Sequence, residues 1–160
     1  MNPYASHLGD RNPREVIAQT PDRLTVLAER LGAAGLERSL APGKWPARLI
    51  ICHLADCENV FAFRLRQALA EPYHVIQPFD QDVWAGRYPG MSAQDALAVF
   101  SAVRRWNLAL LETVTPAELS KSLNHPERGD MTLQTVIETM GGHDLNHLAQ
   151  LETIAAQPAA

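Results

Sequence analysis

The chain has 160 residues, 46% of them hydrophobic, enough apolar surface for one domain with its own core. Its formal charge of −4, with no run of Lys or Arg along an expected helix face, argues against a nucleic-acid partner. Nowhere do about 18 apolar residues run together, and the opening MNPYASHLGDRNPRE has neither a basic nor an apolar block. No membrane contact and no signal peptide are expected, and the chain reads as cytoplasmic.

Residues 1–12 are polar and mixed and read as a tail, leaving one domain over 13–156. Asn12-Pro13-Arg14-Glu15 carries a cap, a first-turn Pro and an early acid, but Thr20-Pro21 repeats the start signal, so a kink or break is expected near Pro21. Leu24, Leu27, Ala28 and Leu31 recur at helical spacing, and Gly32 and Gly35 supply the stop of a first helix over 13–32. Lys44-Trp45-Pro46 opens the second helix, whose stripe of Leu49, Ile50, His53, Leu54, Cys57, Phe61, Arg64, Leu65 and Ala68 reaches about Ala70.

From Glu71 to Met91, Pro72, Pro78, Gly86, Pro89 and Gly90 interrupt any period, a connection long enough to be functional. Ser92 caps a third helix ending near Thr113, and Thr115-Pro116-Ala117-Glu118 begins a short turn. HPERGD, 125–130, reads as a loop before Thr132 caps the fourth helix, where Leu133, Val136, Ile137, Met140, Leu148, Leu151 and Ile154 share one face. Leu and Ala dominate these runs, so the expected class is all-α, a four-helix bundle with a long crossover between the second and third long helices.

His143 and His147 are four apart on that apolar face, which on a helix lets both rings meet one ion. His53 is the one other histidine on a core stripe. Three imidazoles buried among Leu, Met and Val need partners, and a shared divalent cation is the simplest partner for all three. Imidazole suits Zn, Ni, Fe and Cu alike, with Zn or Ni the leading expectation and Fe next, and three nitrogen ligands leave one or more positions open for chemistry. Gly141-Gly142 in mid-helix costs about 1 kcal/mol per Gly and signals a close backbone neighbour or a bulky ligand.

Other polar residues read more plainly. HDLNH differs from the H-E-x-x-H of zinc proteases by Asp144, and no later histidine supplies that family's third ligand. Cys52 and Cys57, five apart, point in different directions and do not pair. Cys57 lies one turn beyond His53 and so is able to face the site; it is read as a small buried hydrophobe outside the metal set, the alternative being a thiolate ligand or redox-sensitive thiol. His7, His74 and His125 read as surface residues, Asp56 and Glu58 as a solvated face, and Trp45 and Trp106 as packing residues.

KWPARLIICHLADCENVFAFRL (44–65), FDQDVWA (79–85) and HPERGDMTLQTVIETMGGHDLNHLAQLE (125–152) resemble the DinB-like, YfiT-type metal-dependent family. Its pattern is a lone His after a Lys-Trp start, then H-x-x-x-H with Gln three further on, matched here by His53, His143, His147 and Gln150. Pro46 departs from the Ser or Thr cap common in the family. The resemblance implies an up-down-down-up bundle and often a homodimer, with thiol S-transferases, thiol-dependent isomerases and hydrolases among its members.

The expected function is transfer of a low-molecular-weight thiol, bound at the metal, to a small electrophile. The alternatives are hydrolysis by metal-bound water and a non-catalytic, stress-related metal-binding module. Gln150, Asp80 and Trp84 are the candidates for supporting a ligand ring or lining the substrate side.

Overall fold

The computed structural model describes residues 2–158. In chain order it contains α1 (Ala5–Leu8), α2 (Pro13–Leu36), α3 (Ala47–Ala70), β1 (His74–Val75), α4 (Gln81–Ala85), α5 (Ala93–Leu111), β2 (Ser122–His125), β3 (Gly129–Thr132) and α6 (Leu133–Ala156). The four long helices are the four expected, and among the described residues none is long and apolar enough to cross a membrane.

The helix starts follow the capping signals. Asn12 accepts from the Arg14 amide, Ser92 from Asp95 and Thr132 from Thr135, each satisfying a donor that the first turn leaves free. Pro46 has no side chain to do this for α3; instead the Ala47 amide donates to the Arg38 carbonyl at 2.9 Å.

The expected break at Pro21 does not occur. Pro21 has no N–H to donate to the Ile17 carbonyl four residues back, yet α2 continues through it with helical dihedrals. The orphaned Ile17 oxygen accepts instead from Arg104 Nη1 at 2.8 Å, a tertiary bond replacing the lost helical one. The irregularity lies at Gly32, whose φ of 58° only glycine adopts readily, and one further turn carries α2 to Leu36.

The purely helical expectation needs correction. β2 and β3 form an antiparallel hairpin where a loop was expected, with Gly129 at φ 75°, and β1 from the long connection pairs with β2 in parallel. Strands of two to four residues show no alternation that could be told from loop sequence. The same connection holds α4, capped by Asp80, and a 3₁₀ turn at Tyr88–Gly90.

Two apolar clusters fill the bundle. One joins Leu24 to Leu31, Ala47 to Ala55, Ala93 to Phe100 and Leu148 to Ile154; the other joins Ile17, Cys57 to Ala68, Leu111 and Leu133 to Met140. Residue numbers therefore rise from the second cluster to the first along α2 and α6, and from the first to the second along α3 and α5. Between them, where α3 and α6 pass mid-bundle, lie the buried side chains of His53, Glu58, His143, Asp144 and His147.

Of the segment read as a tail, the described residues 2–12 lie against the body. The Leu8 side chain is buried, and α1 packs on α6. The glycine pair makes room for it: a Cβ on Gly142 would lie 2.5 Å from the Tyr4 carbonyl oxygen, and one on Gly141 would lie 3.2 Å from Leu8 and 3.3 Å from Pro13. The close neighbour signalled by Gly141-Gly142 is this segment's backbone.

Candidate metal centre

His53 from α3 and His143 and His147 from α6 converge, with ring centroids 5.2 Å apart for His53 and His143, 4.9 Å for His53 and His147, and 4.5 Å for the α6 pair. The four-residue spacing stacks the α6 rings on one face, and His53 meets them from across the helix interface. His53 Nε2 and His143 Nε2 are 3.1 Å apart. Two nitrogens each ~2.0–2.1 Å from one ion are about 3 Å apart, so this pair has a chelating separation.

Gln150 Oε1 accepts from His147 Nδ1 at 3.0 Å, which puts the proton on Nδ1 and leaves Nε2 free to coordinate. His143 Nδ1 is buried with no partner. Burial pushes all three imidazole pKa values down, that of His53 to about 3 with help from His147, while His143 also feels His147 and His53. At neutral pH the rings are therefore uncharged, the form that binds a cation.

Cys57 is closer to the cluster than its reading as a buried hydrophobe implied. Its Sγ is 3.4 Å from His53 Nε2, and donor atoms of His53, Cys57 and His143 all lie within 4.8 Å of one another. Burial raises its thiol pKa well above the ordinary value, so without a cation the sulfur stays protonated.

Two cavities flank the cluster. The larger, about 540 Å³, is lined by His147, Gln150, Trp45, Lys44, Asp82 and Asn146 among others. The smaller, about 280 Å³, is lined by His53, His143, Cys57, Arg64, His125 and Arg128 among others. Tyr4 and Gln81 line both, and the Tyr4 ring stands edge-on to His143 at 5.2 Å. Nothing in the composition of 1–12 marks Tyr4; the glycine pair it rests on was the available signal.

The other candidates divide. Gln150 meets His147 as the sequence spacing suggested. Asp80 serves as the cap of α4, accepting from Asp82 and Val83, and Trp84 packs on Phe79 with centroids 4.6 Å apart; neither lines a cavity beside the histidines. His74 and His125, expected at the surface, are buried, whereas His7 is exposed. Trp106, expected to pack, is 68% exposed, while Trp45 lies 5.2 Å from the His53 ring.

Glu58 is not a solvated residue. Arg104 from α5 donates to both its oxygens, at 2.9 and 2.7 Å, and to both oxygens of Asp144, at 2.6 and 3.2 Å. Asn107 adds a bond to Glu58, and the Ile17 carbonyl completes a buried network that ties together α2, α3, α5 and α6. Burial works against the Arg104 charge, but Asp144 and Glu58 outweigh it and hold the guanidinium firmly protonated. Asp144, one residue from His143, is thus committed to Arg104, which rules out its use as the base of an H-E-x-x-H-like site.

Three imidazoles brought together by two helices of a bundle, with cavities on both sides, define a helical-bundle protein with a candidate metal centre in its core. The model of the DinB superfamily matches residues 17–151, and the chain belongs to that superfamily. A protein of Oceanobacillus iheyensis named "Putative metal-dependent hydrolase" is 29% identical over 120 residues, covering 74% of this chain and 70% of its own. One of the same name from Bacillus mycoides is 27% identical over 140 residues, covering 86% and 80%. In structure the chain resembles YfiT from Bacillus subtilis, described as "a probable metal-dependent hydrolase with an unusual four-helix bundle topology", with a TM-score of 0.83 at 23% identity, covering 89% of this chain and 83% of that one. That likeness establishes the shared helical-bundle fold.

Proposed function

We propose that the protein is a metal-dependent enzyme that holds one divalent ion, zinc or nickel with iron also compatible, on His53, His143 and His147. It transfers a low-molecular-weight thiol to a small electrophile. The metal-dependent part is supported by the neutral, convergent imidazoles, the 3.1 Å Nε2 separation and the names of the relatives. The observation that carries transfer is the pair of adjoining cavities beside the cluster, one of about 540 Å³ and another of about 280 Å³, which together give room for two small molecules.

When bound, the ion supplies positive charge that favours a thiolate over a thiol at an open position. The chain's own groups do the rest. Gln150 fixes the His147 tautomer, Trp45 and Tyr4 shield the rings, and Gln81 stands where the cavities adjoin. A second reading, hydrolysis by metal-bound water, is favoured by the names of the relatives and needs only one cavity. Both take small-molecule substrates, and we extend the resemblance to a cytoplasmic homodimer.

Cobalt substitution separates the two. Because Cys57 could itself supply sulfur, the titration uses Cys57→Ala protein. Added small thiols are expected to raise a sulfur-to-cobalt charge-transfer band in the near ultraviolet, absent from the His53→Ala, Cys57→Ala double variant. No band with any thiol, together with metal-dependent cleavage of simple esters or amides, would replace transfer by hydrolysis.

A further inference from the structure

The smaller cavity carries charge that the metal reading does not use. Arg64 from α3 and Arg128 from the β2–β3 turn both line it, and among the described residues neither has a carboxylate oxygen within 4.0 Å of its guanidinium. The Arg64 Nε is buried without a partner, and its Nη2 has only a 3.4 Å contact with the Gln77 carbonyl. A buried guanidinium donor without an acceptor is costly, and arginines in native proteins ordinarily find one. Glu127 is the one acidic residue of the lining, and it makes no ion pair with either arginine.

His125 adds a third donor. The Glu127 amide donates to His125 Nδ1 at 3.2 Å, so the proton of the neutral ring sits on Nε2. Burial, with Arg128 and Arg64 nearby, lowers the pKa of this imidazole and keeps it neutral. Arg64 also lies over the Phe79 ring, its guanidinium carbon 5.9 Å from the centroid, which helps set the plane of the fork.

We propose that Arg64, Arg128 and His125 form a subsite for the oxyanion of a small molecule, a carboxylate in the first instance, in the cavity that opens onto His53 and His143. Arginine matches a carboxylate through two parallel N–H bonds, whereas a lysine would offer only a point charge. As for function, this inference rests on the reading of the histidines as a metal centre: it makes the electrophile an acid, anchored at the arginines with its reactive carbon toward the ion. The subsite itself does not need the ion.

The test is isothermal titration of the full chain with succinate, its neutral diamide succinamide and inorganic phosphate, in metal-free and zinc-loaded forms. Succinate is expected to bind both forms at one per chain, and succinamide neither. Arg64→Met keeps the aliphatic stem and should weaken succinate about tenfold or more, the loss of a charge-assisted pair. Arg128→Gln, on an exposed turn where folding is not at stake, should weaken it severalfold, and Arg23→Met, at a distant surface pair, should not. Equal affinity in the Arg64 and Arg128 variants, or succinate binding only to the zinc-loaded form, overturns the proposal. Phosphate bound more tightly than succinate overturns the carboxylate assignment in favour of a phosphoryl group. Zinc stoichiometry measured on the same samples keeps a failed subsite distinct from a failed metal centre.

Discussion

Two polar clusters sit back to back on the same helices, and they are finished to different degrees. Glu58 and Asp144 face Arg104, where carboxylates, guanidinium, Asn107 and a backbone carbonyl satisfy one another with no water or ligand needed. One residue away on each helix, Cys57 and His143 face the histidine side, where two ring nitrogens point at each other, a third is orphaned and two cavities open. The first cluster is complete from the chain's own atoms; the second is not. Polar groups buried at both faces show where the fold spends its specificity and where it leaves room for something from outside.

Arg104→Met should break the complete side most severely. It strands two buried carboxylates and leaves the Ile17 carbonyl unpaired, so a loss of about 3–5 kcal/mol is expected in urea denaturation, enough to unfold a marginal domain. A loss below about 1 kcal/mol would mean that the network is not the tie between the helices.

Acidification should act on the incomplete side. The folded-state pKa values of His53, His143 and His147 are lowered, so the unfolded chain binds more protons below its own value near 6.5. Stability of the metal-free protein is therefore full above about pH 6.5 and falls below it, by up to roughly 1.4 kcal/mol per pH unit for each imidazole, as far down as about pH 3 for His53. Thermal melts from pH 7.5 to 5 should show the decline, and a shallower slope in His147→Ala would place part of it on the histidine cluster.

Gly142→Ala probes the seam between the N-terminal segment and the histidine helix. The added methyl would sit 2.5 Å from the Tyr4 carbonyl oxygen and must displace that backbone, at a cost of about 1–3 kcal/mol. Proteolysis should become faster at residues near Tyr4 while the bundle persists. Unchanged protection there would mean that the segment is not held by the close approach.

The smallest effect on stability is expected from His147→Ala, within about 1 kcal/mol in metal-free protein, because the apolar clusters rather than this ring hold the bundle. Bound metal should nevertheless fall to a small fraction. Loss of helical circular dichroism would instead mark the histidine cluster as a folding element.

Much of this was legible in the sequence because helices declare themselves by period and cap. Asn12, Ser92 and Thr132 mark their helices, the apolar stripes find the core, and the i, i+4 spacing of His143 and His147 with Gln150 three further on picks out side chains that the fold brings beside His53. Residues set by long-range partners did not declare themselves. Pro21 looks like a break until Arg104 supplies the missing donor from another helix, and Glu58 looks solvated until the same guanidinium covers it. His125 sits in strands too short to show alternation, and Tyr4 in a segment whose role depends on two glycines far along the chain. Asp80 and Trp84 were candidates because they lie in the long connection, and in the structure Asp80 caps α4 while Trp84 packs on Phe79.

The most direct test of the central claim is X-ray absorption on protein loaded with one equivalent of zinc. The account predicts one ion per chain with three imidazole nitrogens at roughly 2.0–2.1 Å, a light fourth ligand in the resting protein and no sulfur. Loading should fall to a small fraction in His147→Ala. A sulfur neighbour at about 2.3 Å that disappears in Cys57→Ala, or an ion retained in full by His147→Ala, would contradict the three-histidine centre.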